Sequence, residues 1–171
     1  FLTHTEFCIN GKVTTPDFPK LRENTLHYML DNPIIPARVC VHHKILKQLQ
    51  FREDIVIVED QVLWATIAIH FPIYQIREYT VRYHLHDDNS VNWRKNCFTP
   101  RLQGLKKFFA QEDVKKAVKS TKKNQVLSDC YFGIARFYLH NNQYWNMCKN
   151  LLLSIFQKPI HPQTKAKVHM M

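Results

Sequence analysis

At 171 residues, with 45% hydrophobic and 12% aromatic side chains, the chain can build one packed core but not two full-sized domains, and its composition excludes disorder, a collagen repeat and a disulfide scaffold. Only three residues are Gly, against a usual share of roughly 7%, which leaves little room for the glycine-rich phosphate loop of most nucleotide-binding domains. The formal charge of +10 is uneven: residues 1–93 carry nine Lys plus Arg against eleven Asp plus Glu, residues 94–171 fifteen against three, and a half so basic is expected to face phosphates on a membrane or a nucleic acid.

The chain opens on Phe1 without a signal-peptide pattern and is read as a processed product or a piece of a longer protein. Residues 1–15, with Phe7, Ile9 and Val13 about Asn10-Gly11, predict a hairpin. After Pro16, Leu21, Leu26, Met29 and Leu30 fall near helical spacing, and Asp31-Asn32-Pro33 supplies a stop. Ile34 to Val41 is β-branched and reads as a strand or extended segment entering a short helix over His42 to Gln50. Phe51 to Val58 is a loop with an apolar run, and Glu59-Asp60 opens a helix whose apolar face is Leu63, Trp64, Ile67 and Ala68. Residues Tyr74 to His86 alternate as a strand or hairpin arm that ends at the acidic turn Asp87-Asp88-Asn89.

From Pro100 the pattern is helical only. Leu102, Leu105, Phe108 and Phe109 form one face, a Lys-rich stretch follows, and Leu127 to His140 and Gln143 to Gln157 read as two helices joined at Asn141-Asn142, a pair that resembles one tetratricopeptide unit. Apolar runs such as Ile55–Val58 and Leu151–Leu153 fall far short of the ~20 residues of a membrane-spanning helix. Five cysteines, odd in number and without a CxxC pair, signal neither a zinc ribbon nor a disulfide framework, so a reducing cytosol is the expected compartment.

Chemistry concentrates in Phe51-Arg-Glu-Asp-Ile-Val-Ile-Val-Glu59-Asp60-Gln-Val-Leu63-Trp64, followed by Val81-Arg82-Tyr83-His84-Leu85-His86-Asp-Asp-Asn89-Ser90. A carboxylate at a helix N-terminus is held ionised by the exposed N–H groups and the dipole, which suits both a plain helix cap and a general base. Trp64 at helical spacing reads as core, with an indole flanking a bound sugar as the other use. His84 and His86 share one strand face, and Arg82 suits either a phosphate or a surface ion pair.

These two segments, in this order and spacing, resemble the C-terminal half of the catalytic domains of glycosyltransferase family 2, with the segment Asn32-Pro-Ile-Ile-Pro36 to Leu49 similar to the strand and helix before the motif. The resemblance covers roughly residues 30–93 and implies an α/β fold: the acceptor-side half of a GT-A domain with a mixed sheet over residues 1–96, then a basic all-helical extension over 97–171. It implies an inverting transfer of a sugar from a nucleotide-diphosphate donor to a glycan or lipid-linked acceptor, with Asp60 as general base, Glu59 shaping the acceptor site, Trp64 and Arg82 beside substrate, and His86 near the diphosphate and a divalent cation (Mg or Mn). In that family the cation is held mainly by an Asp-x-Asp motif in a nucleotide-binding N-terminal half, for which these 171 residues have no counterpart, so this stretch alone is expected not to turn over. Where the family often has Leu-Trp-x-Arg, this chain has Leu63-Trp64-Ala65-Thr66, and any role of that Arg is absent.

The run from Lys106 to Lys123 reads as a solvated helix face, as a patch against anionic lipid on the cytoplasmic membrane face, with Phe108-Phe109 as its apolar part, or as a nucleic-acid surface. Nucleic acid is the least expected of the three, because interleaved aromatics are missing. A non-catalytic basic helical module that binds membrane, nucleic acid or protein is the alternative to the enzyme.

Overall fold

Alternating β-branched and aromatic residues build the sheet of the computed structural model, which describes residues 1–9, 12–15, 24–85 and 96–159. Strands β1 (Leu2–Ile9) and β2 (Lys12–Thr14) pair antiparallel with Phe7 opposite Thr14 and Cys8 opposite Val13, the hairpin expected; its Asn10-Gly11 turn lies outside the described residues, as does Leu21 of the next predicted helix. Strand β3 (Gln75–Leu85) lies on the other side of β1 and runs parallel to it, giving the order β2-β1-β3. The segment expected as a strand or a hairpin arm is thus a parallel strand, and such pairing needs a long crossover. Helices supply it: α1 (Thr25–Asp31), α2 (His43–Gln48) and α3 (Glu59–His70).

Ile34–Val41 is not the continuous strand that its β-branched residues favour. Pro36 fixes its own φ and opens a 3-10 turn over Pro36–Arg38, after which Val39 makes a single antiparallel bridge to Leu2. That turn is strapped to β1, because Thr3 Oγ1 donates to the Arg38 carbonyl (3.1 Å) and Arg38 Nε donates to the Thr3 carbonyl (3.0 Å).

The chain divides into two compact units, Phe1–Glu53 with Glu59–Ser90, and Asp54–Val58 with Val91–Met171. In the first, Leu26, Tyr28, Met29 and Leu30 of α1 are buried, as are five consecutive residues of α3, Gln61 to Ala65. A helix buried around so much of its circumference is a central element rather than a surface one.

The second unit is helical: α4 (Phe98–Phe109), α5 (Glu112–Ala117), α6 (Ser120–His140) and α7 (Tyr144–Gln157). Phe108 and Phe109 are 0% and 2% exposed, so the apolar half of an interfacial helix does not lie there; both rings are core, and Lys106 and Lys107 are on the outside. Helix α6 starts seven residues before the expected Leu127. Helices α6 and α7 form the expected hairpin, joined through Asn142 in the left-handed region (φ 56°), a conformation Asn tolerates. Phe132, Ala135, Met147 and Leu151 form its core. The buried Ser128 and Ser154 lock it reciprocally, each hydroxyl donating to the other residue's carbonyl at 2.8 and 2.7 Å. Among the described residues no helix is long and apolar enough to cross a membrane.

Candidate active site

Glu59 and Asp60 form the first turn of α3, at the positive end of the helix dipole. Asp60 Oδ1 accepts from the Gln61 backbone N–H at 2.6 Å, and Glu59 Oε2 is buried with no hydrogen-bond partner among the described residues. A carboxylate oxygen removed from water without a donor is costly.

Two side chains hold this turn in place. Gln61, 1% exposed, donates through Nε2 to the carbonyls of Met29 (3.0 Å) and Leu30 (2.9 Å), two of the last acceptors of α1 that no intrahelical N–H reaches. One turn further on, Trp64 is buried and its Nε1 donates to the Ile34 carbonyl at 3.0 Å, while Phe51 packs edge-on to its ring. The carboxylate pair therefore stands on a helix fastened to α1 on one side and to the Ile34 segment on the other. Sequence reasoning missed Gln61.

Trp64 is thus a core residue with its N–H committed to the protein, and one side of its ring lines a cavity of about 190 Å³. Met29, Ile45, Ile67, Phe71 and Tyr74 are among the residues that share that wall, and His42 is the imidazole on it. Such a mostly apolar lining suits an aliphatic or aromatic group.

Arg82 lies on β3 directly opposite Glu6 of β1, and both its Nε (3.1 Å) and Nη2 (2.9 Å) donate to Glu6 Oε2. Of the two uses read for Arg82, the structure contains the cross-strand ion pair. His84, two residues on, is exposed on the same strand face. His86 and the Asp87-Asp88-Asn89 turn lie outside the described residues. Among the described residues no group of three His, Cys, Asp or Glu side chains converges where a metal ion could sit, and no chemical step is routed through one.

The cysteines are free, and burial pushes the thiols of Cys97 and Cys130 above their ordinary range, which keeps them protonated and poor nucleophiles. No family model, curated protein or solved structure matches this chain.

Proposed function

We propose that the chain is the acceptor-side portion of an inverting, family 2-like glycosyltransferase, in which Asp60 is the general base. The observation that carries the reading is the Glu59–Asp60 pair on the first turn of a helix that Gln61 and Trp64 fix in place, since a catalytic carboxylate must be held within a fraction of an ångström by elements that do not move.

In the proposed step Asp60 takes the proton of an acceptor hydroxyl while that oxygen attacks the anomeric carbon of a nucleotide-diphosphate sugar. The new C–O bond forms on the face opposite the leaving group, and the old anomeric C–O bond breaks with its electron pair going to the diphosphate. Inversion follows from this single displacement. Glu59, its neighbour on the first turn of the helix, shapes the acceptor site. The acceptor's apolar part, in a lipid-linked substrate, fits the cavity beside Trp64. The donor is held by the nucleotide-binding half that the family resemblance implies for the full-length protein.

The reaction class is tested by the product. NMR of the glycoside made by the full-length protein from a panel of nucleotide-diphosphate sugars is expected to show an anomeric configuration opposite to the donor's. Retention would contradict a one-base displacement.

A further inference from the structure

The outward face of α7 is apolar where a soluble helix is usually polar. Its inward residues, Met147 and Leu151, are 4% and 0% exposed, whereas on the opposite side Trp145 is 83%, Leu152 54%, Leu153 38% and Phe156 88% exposed. Residues 145, 149, 152 and 156 follow one another at helical spacing, so Trp145, Lys149, Leu152 and Phe156 form one stripe. Neither the Trp145 indole N–H nor the Lys149 ammonium has a hydrogen-bond or ion-pair partner among the described residues, and the helix contains no Asp or Glu.

We infer that this face docks on an anionic membrane surface, Trp145, Leu152 and Phe156 entering the boundary between headgroups and acyl chains while Lys149 meets lipid phosphate. Charge complementarity identifies the occupant. Residues 98–159 carry eleven Lys plus Arg against three Asp plus Glu. Of those three acids, Glu112 is paired with Lys115 and Asp113 Oδ1 accepts from the Val114 N–H. An exposed apolar stripe whose one charge is positive, on a strongly cationic helical unit, is matched by a surface that is apolar below and anionic above. Trp is the side chain that best fits that depth, with an apolar ring and a donor for the headgroup layer. A nucleic acid would need several cations around each stacking ring, and this stripe has one Lys among three large apolar residues. Docking of α7 on a membrane is independent of the sugar-transfer reading.

The test is flotation of the full chain with vesicles of phosphatidylcholine, with and without phosphatidylglycerol. The anionic vesicles are expected to bind at least about tenfold more tightly, with a blue shift of Trp emission that Trp145→Phe removes. The double variant Trp145→Ala, Phe156→Ala, exposed at both positions, is expected to melt like the wild type and to lose binding by about tenfold or more. Lys149→Glu, which leaves the apolar residues in place, is expected to lose the preference for anionic vesicles. Absence of vesicle binding, or binding that neither variant weakens, would overturn the proposal. So would self-association, or binding of a single-stranded oligonucleotide, that the double variant abolishes in a chain that ignores vesicles.

Discussion

His4 sits in β1, 3% exposed, with its Nε2 2.7 Å from Gln75 Nε2 and the Tyr79 ring edge-on beside it. Burial lowers its pKa below the ordinary 6.5, and the charges of Arg38 and Arg77 add to the effect. The unfolded chain therefore binds a proton that the folded chain resists, so stability is full above about pH 6.5 and falls as the pH drops below it. The unfolding midpoint should be lower near pH ~5 than near pH ~7.5, and His4→Gln should flatten that difference; an unchanged slope in the variant would assign it to other groups. Gln61 acts by hydrogen bonding rather than charge. Gln61→Ala leaves the Met29 and Leu30 carbonyls buried without their donor, and the expected loss is about 2 kcal/mol in a denaturant melt. Arg82→Ala removes an ion pair whose Arg is 55% exposed, so its cost should stay below about 1 kcal/mol. The carboxylates at the start of α3 were legible because acids in a first turn followed by apolar residues at helical spacing announce a helix N-terminus. Gln61 was not, since nothing in a polar residue on an apolar helix names acceptors 32 and 31 residues away.

At the scale of elements, close approach decides more than propensity. Gly133 lies inside α6, where Ala would ordinarily gain about 1 kcal/mol, but a Cβ there would overlap the Phe98 ring. Gly133→Ala is expected to destabilise by about 1–3 kcal/mol, read as a lower melting temperature; a stabilised variant would mean that the ring moves aside freely. Gly104 of α4 faces the same constraint from the stiff β-branched Val58 and Ile55, whose Cγ2 atoms would lie 2.7 and 2.8 Å from the new Cβ. Two of the chain's three glycines thus mark tight contacts of helices. Helices with clear apolar periodicity, α4 and α7, could be read from the sequence, and α3 could be read from the acids that open it ahead of an apolar run. The first seven residues of α6 could not, because Ser120 to Asn124 contain no apolar residue and Lys122 is buried all the same. Nor could the parallel pairing of β1 with β3, whose partners, such as Glu6 and Arg82, are 76 residues apart.

At the scale of the whole molecule, the uneven charge separates along the chain: a slightly acidic first stretch containing Glu59 and Asp60, and a basic helical stretch with an apolar outer face on α7. Asp54–Val58 crosses that order, lying between α2 and α3 in sequence while belonging to the second unit, and Lys107 Nζ donates to the Asp54 carbonyl at 2.6 Å. No periodicity signals such an excursion, since the four-residue apolar run Ile55–Val58 is equally suited to either unit. Under the proposed function Asp60 serves as a base rather than as a helix cap alone. The most direct test of that role is turnover of the full-length protein carrying Asp60→Asn, a substitution that keeps the size and capping ability of the side chain but cannot take up a proton at neutral pH. A fall in kcat of about 10²–10⁴-fold with an unchanged melting temperature is expected, and turnover near the wild-type value would contradict the role of Asp60 as base.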